Sequence, residues 1–234
     1  MKKEQALELV DDSILKGICH RGLHNDKFPE NSMSAFKNAI EHNLPFELDI
    51  HLSRDGALIV CHDSNLKRVT GNDGIIEELD LKDIKDNYKL GDGSSIPTLD
   101  EVLKLNDERV LIVIELKSYN HNSTLLAKKL KEALKNVKNK KKYALISFFP
   151  RCLFPFKNDG YHRELLVGDD TYYLFKLRSL FEGIDVSVNL FSKKKVRNYA
   201  KKHFVNCYTI DSNHKRIIAG SYATTFTFEN LDII

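Results

Sequence analysis

The chain has 234 residues, of which 42% are hydrophobic and 29% are charged, and its formal net charge is +3. This composition excludes a disordered, collagen-like or coiled-coil chain and is typical of a globular protein with a large core, built as one domain or at most two. The small net charge, set by 36 basic and 33 acidic residues, gives no strong attraction to nucleic acid or to a membrane.

We expect neither a membrane-spanning segment nor a secretory signal in this sequence. No apolar run approaches the ~18–20 residues that cross a bilayer, and Met1–Asp12 is too polar for the apolar core of a secretory signal. The cysteines lie far apart, without the paired spacing of zinc or redox motifs, and we expect reduced thiols in a cytoplasmic protein. They are Cys19, Cys61, Cys152 and Cys207.

Strand-like and helix-like runs alternate along the chain. Runs rich in Ile, Val and Leu predict strands that are buried on both faces. In chain order these strands are Ile14–His20, Phe46–Leu52, Ala57–Cys61, Val110–Lys117, Tyr143–Phe148, Glu164–Val167, Ile184–Val188, Asn206–Ile210 and Thr224–Phe228. Apolar stripes at helical spacing predict helices at Ser32–His42, Thr98–Asn106, Ser123–Val137, Tyr172–Phe181 and Ser192–His203.

The second and third predicted strands form a hairpin. Only residues 53–56 separate them, too few for a crossover helix, and the Asp-Gly pair in this segment favours a two-residue turn. Such a turn places Arg54 opposite Ala57 and, further along the hairpin, Asp49 opposite His62. Directly opposed residues share a face of the sheet. We therefore expect His62 on the same face as Asp49.

Eight strands remain once the returning arm of the hairpin is set aside. Strands that alternate with helices are parallel and are joined by right-handed crossovers. Eight such units in this length predict a compact (β/α)8 barrel, for which about 250 residues are typical. An open, doubly wound sheet is the alternative that the pattern leaves open.

Charged side chains cluster at the carboxyl ends of the predicted strands. The active sites of barrel enzymes lie at this end, so these side chains are expected to converge at one mouth. They are His20 and Arg21 after the first strand, Glu47 and Asp49 on one face of the second, His62 after the third, and Glu115 and Lys117 on one face of the fourth.

Three of these residues are acidic. Glu47, Asp49 and Glu115 would repel one another at one mouth unless a cation neutralised them. Oxygen ligands suit a hard divalent ion, so the sequence predicts one Mg²⁺ or Ca²⁺ site. The alternative is that each carboxylate belongs to a structural ion pair.

The remaining residues suit phosphoryl chemistry. His20 and His62 can act as base and acid beside a metal, and Arg21 and Lys117 carry charge that suits phosphate oxygens. Lys117 can also serve only to balance a neighbouring carboxylate. Together with the metal, the two imidazoles and the two cations predict cleavage of a phosphodiester.

These motifs resemble the glycerophosphodiester phosphodiesterase family over nearly the whole chain. Each motif alone is weak, but their order and spacing are specific. The stretches that carry the resemblance are His20–Gly22, Pro29–Ser32, Glu47–Asp49, Ser53–Gly56, Val60–Asp63, Leu66–Gly71, Ile96–Leu103 and Ile114–Lys117, with weaker echoes at Ile146–Phe148 and Val205–Thr209.

The resemblance implies a fold, a reaction and a set of roles. It implies a (β/α)8 barrel over residues 1–234, with residues 63–109 as an insertion over the site. It implies metal-dependent hydrolysis of glycerophosphodiesters to sn-glycerol 3-phosphate and an alcohol, by way of a cyclic glycerophosphate, in glycerol and lipid metabolism. By matching motif, the metal ligands would be Glu47, Asp49 and Glu115, the base His20, the acid His62, the phosphate-binding residues Arg21 and Lys117, and the braces of the first loop Glu30 and Asn31.

Two positions depart from the family pattern. Tyr208 stands where the family usually has tryptophan, and Phe228 stands where the closing strand usually has aspartate. We expect Tyr208 to form an aromatic wall of the substrate site, although it can also be a core residue. Both departures are expected to affect the choice of substrate more than the chemistry.

Three functions agree with these residues. The leading one is hydrolysis of water-soluble glycerophosphodiesters, a small-molecule reaction without nucleic acid or stable membrane insertion. A lysophospholipase D-type enzyme is the second, since the phenylalanines of Phe148–Phe156 form either a hydrophobic lip for a lipid-like alcohol or ordinary loop packing. A catalytically silent barrel that binds phosphorylated ligands is the third.

Overall fold

A computed structural model describes residues 1–229 and 231–233 of the chain. Within them, nine strands form one sheet in the order β8-β7-β6-β5-β4-β2-β1-β9, with β3 antiparallel to β2 and every other pair parallel. The strands are β1 Ile18–Cys19, β2 Phe46–Leu52, β3 Leu58–Val60, β4 Ile112–Leu116, β5 Tyr143–Ser147, β6 His162–Val167, β7 Gly183–Ser187, β8 Phe204–Tyr208 and β9 Thr227–Phe228.

Backbone contacts at the carboxyl ends of β8 and β9 close the sheet. The amide of Ile210 donates to Thr227 O (2.8 Å), and the amide of Glu229 donates back to Ile210 O (3.1 Å). A parallel bridge joins Ile210 to Phe228. The predicted (β/α)8 barrel is therefore confirmed, and the open doubly wound sheet is wrong.

Helices surround the barrel. Within the described residues, none is long and apolar enough to cross a membrane. Hydrogen bonds cap their first turns: Ser32 Oγ accepts the amide of Ala35 (3.1 Å), and Thr98 forms a capping box with Glu101. The helices are α1 Lys3–Leu7, α2 Met33–Glu41, α3 Lys67–Thr70, α4 Leu81–Asn87, α5 Leu99–Asn106, α6 Ser123–Ala133, α7 Pro150–Leu153, α8 Lys194–Ala200 and α9 Asn213–Tyr222.

The amino-terminal segment plugs one end of the barrel. Ala6 of α1, together with Val10 and Ile14, packs with Leu111 and Phe204 at the amino ends of the strands. Burying these apolar side chains removes them from water and stabilises the closed end. The opposite end, where the strands have their carboxyl termini, is left to form a site.

Several elements differ from the prediction in their boundaries or their form. The strand predicted at Ile14–His20 is wrong over its first half, because a 3₁₀ turn covers Asp12–Lys16 and ends at Gly17 with φ 90°. The predicted helix at Tyr172–Phe181 is a 3₁₀ segment, Tyr172–Leu180. The polar segment that forms α9 was not predicted, since its apolar stripe is weak.

The hairpin register differs by one residue from the prediction. Ile50 pairs with Val60, and the amide of Ser53 donates to Ala57 O (2.9 Å), so the turn has three residues and ends in Gly56 with φ 87°. A glycine at positive φ is typical of such three-residue turns. The prediction that Asp49 lies opposite His62 is therefore wrong.

The segment between β3 and β4 has two parts. Its first part, with α3 and α4, shares a small core with β3, which includes Ile59, Leu66, Ile76 and Ile84. Its second part, α5, packs on α2 in the outer layer of the barrel. The insertion at residues 63–109 and the single-domain organisation stay predictions.

Candidate active site

A cavity of about 270 Å³ opens at the carboxyl ends of the strands. Apolar side chains form one wall of it: Ile146, Phe148, Leu166 and Tyr208. Most of the residues predicted from the sequence form the rest, and Asp49 lies fully buried beside them. The predicted residues that line the cavity are His20, Arg21, Glu47, His62, Glu115, Lys117 and Tyr208.

Three carboxylates meet at the base of the mouth. Glu47, Asp49 and Glu115 each place an oxygen atom within 4.8 Å of the other two, and all three are buried. The parallel register of β2 and β4 sets Asp49 directly beside Glu115. The strand pairing thus brings together side chains that are more than sixty positions apart in the chain.

Two cations partly balance these carboxylates. Lys117 Nζ lies 2.7 Å from Glu115 Oε1 and 3.0 Å from Asp49 Oδ1, and Arg21 Nε lies 3.6 Å from Asp49 Oδ2. Burial alone would lower the pKa of Lys117, but Asp49 and Glu115 raise it above its usual range. Burial likewise opposes ionisation of Asp49, but Lys117, His62 and Arg21 hold its pKa below the ordinary value.

The other two carboxyl groups, Glu47 and Glu115, are harder to ionise than ordinary carboxyl groups. Burial raises the pKa of Glu115 to about 7, with Asp49 adding to the rise and Lys117 opposing it. Burial, Asp49 and Glu115 raise the pKa of Glu47 well above its usual range. A buried group that resists ionisation gains from a nearby cation, because the cation favours its charged form.

The donor set fits a hard divalent cation. Glu47 Oε2 accepts the amide of Arg21 (3.0 Å), while Glu47 Oε1 is buried and finds no hydrogen-bond donor in the described part of the chain. Buried acceptors are rarely left without a partner. Three convergent carboxylates, with such an oxygen among them, have the chemistry that Mg²⁺ and Ca²⁺ prefer.

The loop after β1 holds two residues in unusual backbone conformations. Arg21 and Asn31 both have φ 53°, a region that residues other than glycine adopt at a cost and that is common at functional sites. Arg21 Nη1 donates to Glu30 Oε1 (2.9 Å), and Asn31 Nδ2 donates to Asp49 Oδ2 (2.8 Å). The contacts of Glu30 and Asn31 thus tie this loop to the cavity.

His62 lies in the cavity although the predicted register was wrong. β3 ends at Val60, so His62 lies beyond the strand pairing and is free to turn into the mouth. Its Nδ1 donates to Asp63 Oδ1 (2.6 Å), and Arg68 binds both Asp63 and Glu30. Burial, with Lys117 adding to it, lowers the pKa of the His62 imidazole.

A second histidine supports the backbone of His62. His51 Nε2 donates to His62 O (3.1 Å), and His51 Nδ1 donates to Glu77 Oε1 (2.6 Å). Both His51 and Glu77 are largely buried. This pair was not predicted from the sequence, although a histidine within an apolar strand was a signal for it.

His20 has a carboxylate partner that was not predicted from the sequence either. Its Nδ1 donates to Glu229 Oε1 (2.8 Å), and the other oxygen of Glu229 lies 3.0 Å from His24 Nε2. Glu229 directly follows β9. The one available signal was its place after the last strand, at the same barrel end as the predicted site.

Asp185 was missed as well. It lies on β7 in the floor of the cavity, is 1% exposed, and its Oδ1 has no hydrogen-bond partner among the described residues. Burial, together with Glu164 and Glu115, raises its pKa well above the ordinary value. An acidic residue within an otherwise apolar strand is the signal that marked it.

The two departures from the family pattern lie in different environments. Tyr208 is in the cavity wall, with its ring in edge contact with Phe148 (6.2 Å between centroids). Phe228 is fully buried in the core, and its ring lies against Gly17. The expectation that Phe228 affects substrate choice is unsupported by this geometry, because Thr227 lines the cavity in its place.

Comparison with known proteins gives a clear relationship. Residues 20–152 match the model of the glycerophosphoryl diester phosphodiesterase family. The chain belongs to this family. It is 36% identical over 139 residues to a glycerophosphodiester phosphodiesterase of Caldanaerobacter subterraneus, a match that covers 56% of this chain and 57% of the relative.

A second relative and a solved structure are also similar to this chain. One from Bacillus altitudinis is 32% identical over 163 residues, which cover 66% of each chain. The matches thus span less than two thirds of the length of either of these two relatives. A phosphodiesterase structure from Oleispira antarctica, in complex with the product sn-glycerol-3-phosphate, shares the fold with a TM-score of 0.79 at 22% identity, covering 97% of this chain and 95% of that one.

Proposed function

We propose that the protein is a metal-dependent phosphodiesterase that hydrolyses glycerophosphodiesters to sn-glycerol 3-phosphate and an alcohol. One observation carries the proposal: three buried carboxylates, two histidines and two cations converge on one cavity in a chain of this family. The product in the Oleispira antarctica structure supports the same class of substrate.

Glu47, Asp49 and Glu115 would hold the metal. When bound, a divalent cation neutralises these carboxylates and polarises a phosphoryl oxygen. Arg21 and Lys117 line the same cavity and would bind the remaining oxygen atoms of the phosphate. Their charges favour the transition state because negative charge builds up on those oxygens as the nucleophile attacks.

The glycerol 2-hydroxyl is the proposed nucleophile. This hydroxyl of the substrate is already held beside phosphorus, so its attack needs no nucleophile from the protein. His20 removes the proton of this hydroxyl as its oxygen bonds to phosphorus. The bond from phosphorus to the leaving alcohol breaks, and protonated His62 donates its proton to that alcohol.

The second step opens the resulting cyclic phosphate. His62, now neutral, removes a proton from water as the water oxygen bonds to phosphorus. The bond from phosphorus to the 2-oxygen breaks, and His20 returns its proton to that oxygen. The product is glycerol 3-phosphate, and both histidines regain their starting states.

A substrate without the 2-hydroxyl tests this route. We expect the 2-deoxy analogue of glycerophosphocholine to bind with little turnover, because it lacks the nucleophile. Phosphorus NMR of the reaction with glycerophosphocholine itself should show a transient cyclic species. Equal rates for the two compounds would instead show that water attacks the diester directly.

The reaction itself is tested by product release. Purified protein is incubated with glycerophosphocholine, glycerophosphoethanolamine or lysophosphatidylcholine, with Mg²⁺, with Ca²⁺ or with EDTA. We expect glycerol 3-phosphate from the first two substrates when metal is present. Tight binding of phosphorylated ligands without turnover of any substrate would favour the catalytically silent barrel.

Tyr208 is proposed to shape the substrate site. We expect Tyr208→Trp to change the ratio of kcat/KM between glycerophosphocholine and glycerophosphoethanolamine and to leave the metal requirement unchanged, since the side chain lies in the apolar wall. Steady-state kinetics with both substrates measures the ratio. An equal loss on every substrate would point to a structural role.

Lysophospholipase D activity is a second candidate because of an apolar surface beside the mouth. Phe149 and Phe154 are 45% and 44% exposed. They help to line a separate cavity of about 750 Å³ that also includes Ser118, the residue next to Lys117. Choline release from lysophosphatidylcholine in the same assay would favour this function.

A further inference from the structure

Glu229 joins two histidines at the rim of the candidate site. Its Oε1 lies 2.8 Å from His20 Nδ1 and its Oε2 lies 3.0 Å from His24 Nε2. The side chain is 31% exposed, against 18% for His20 and 25% for His24. Both carboxylate oxygens are therefore engaged, which restricts the carboxylate to one orientation.

Backbone contacts hold this arrangement in place. The amide of His20 donates to Phe228 O (2.9 Å), and the amide of Glu229 donates to Ile210 O (3.1 Å). The residue before Glu229 is thus bonded to the main chain of His20 itself. Closure of the barrel sets the position of the carboxylate relative to the imidazole.

The contact determines which ring nitrogen of His20 carries hydrogen. A carboxylate accepts, so Nδ1 is the nitrogen that bears the proton, and Nε2 of the neutral ring is left with a free lone pair. His20 also lines the cavity. A base needs its unprotonated nitrogen directed toward the group that loses a proton, and a second group that fixes the tautomer provides this condition.

We propose that Glu229 is the positioning residue of His20: it accepts the Nδ1 proton, fixes the Nε2 lone pair toward the cavity, and stabilises the imidazolium that forms when His20 takes a proton. This inference rests on the proposed function, in which His20 is the base. His24 holds the second oxygen of Glu229 and so keeps the carboxylate turned toward His20.

The charge of Glu229 agrees with this role. Burial opposes its ionisation, but the hydrogen bonds from His20 and His24 outweigh burial and hold the pKa of Glu229 below its ordinary value. The carboxylate is therefore an anion at neutral pH. An anion beside an imidazole stabilises the protonated ring, and a neutral acceptor stabilises it less.

Three variants separate position from charge. Glu229→Ala removes both, and we expect kcat to fall about 10- to 100-fold, the range for residues that orient a functional side chain, with KM little changed. Glu229→Gln keeps an acceptor for Nδ1 without the charge, so its loss should be smaller. His24→Asn should cost less than Glu229→Ala, because Glu229 stays bonded to His20.

The tautomer of His20 gives a test of this role that does not depend on activity. We expect ¹⁵N NMR of the two ring nitrogens of His20 to show the Nδ1–H tautomer in the wild type and in Glu229→Gln, and a mixture of tautomers in Glu229→Ala. Glu41→Gln is the matched control, since Glu41 is exposed and pairs with Lys37 on α2. Melting temperatures exclude a general loss of fold.

The possible results are distinct. A wild-type tautomer or a wild-type kcat in Glu229→Ala would overturn the inference. A drop in kcat with an unchanged tautomer would overturn it too, since the loss would then have another cause. If the wild type hydrolyses no glycerophosphodiester, the proposed function fails, while the NMR comparison still tests whether Glu229 sets the tautomer of His20.

Discussion

Replacing His62 by alanine is expected to lower kcat by about 10²–10⁴-fold, the usual contribution of a positioned acid or base. The side chain lies in the cavity, and its Nδ1 is bonded to Asp63. The opposite ring nitrogen is therefore the one that can exchange a proton with a leaving alcohol. The same substitution at His20 should have an effect of similar size, since the two rings act in turn.

Kinetics and metal binding together check this prediction. Steady-state rates with glycerophosphocholine give kcat, and calorimetry should show that His62→Ala still binds metal, because His62 is outside the carboxylate cluster. His214→Ala is the matched control, on the exposed side of α9. Wild-type turnover in His62→Ala would remove His62 from the mechanism.

The location of His62 shows what the local sequence pattern can and cannot predict. The hairpin was predicted from its Asp-Gly pair, but the turn contains a third residue and shifts the register by one. His62 still enters the cavity because β3 ends before it. A strand end that lies outside the pairing can turn either way, so the register alone did not determine where this side chain points.

The carboxylates were easier to place. Glu47 and Asp49 are two residues apart on one strand and therefore share a face. The same spacing puts Glu115 and Lys117 on one face of the neighbouring strand. Once the strands are parallel neighbours, their inward faces must meet. Strand periodicity and barrel closure were therefore sufficient to predict that these four side chains come together.

The supporting residues depend on contacts that no local pattern encodes. Glu229 reaches His20 across 209 positions of the chain, through closure of the barrel. His162 donates to Ala6 O (3.2 Å) only because the amino-terminal segment plugs the base. Neither contact follows from periodicity, capping or turn signals, since each depends on where distant elements pack.

Replacing Glu115 by glutamine is expected to abolish most of the metal affinity. Partners that only support a metal ligand cost about 10- to 100-fold in affinity when they are lost, so a direct ligand should cost at least as much. Titration calorimetry with Mg²⁺ and with Ca²⁺ measures the loss. Turnover should fall in parallel, and exhaustive chelation of the wild type should abolish it.

Thermal unfolding separates loss of the metal site from damage to the fold. A cation that binds only the folded protein raises its melting temperature, so wild type and the exposed control Glu41→Gln should gain stability with added metal, and Glu115→Gln should gain little.

The pH dependence of stability gives a second test of Glu115. Burial raises the pKa of Glu115 to about 7, so without metal the folded protein binds a proton at this group more tightly than the unfolded chain does. The stability from this group is complete below the unfolded pKa and is lost as pH rises through about 7. The neutral glutamine lacks this dependence, so the metal-free variant should be at least as stable as the wild type at alkaline pH. Full turnover of the wild type after chelation, or unchanged metal affinity in Glu115→Gln, would contradict the assignment of these carboxylates as metal ligands.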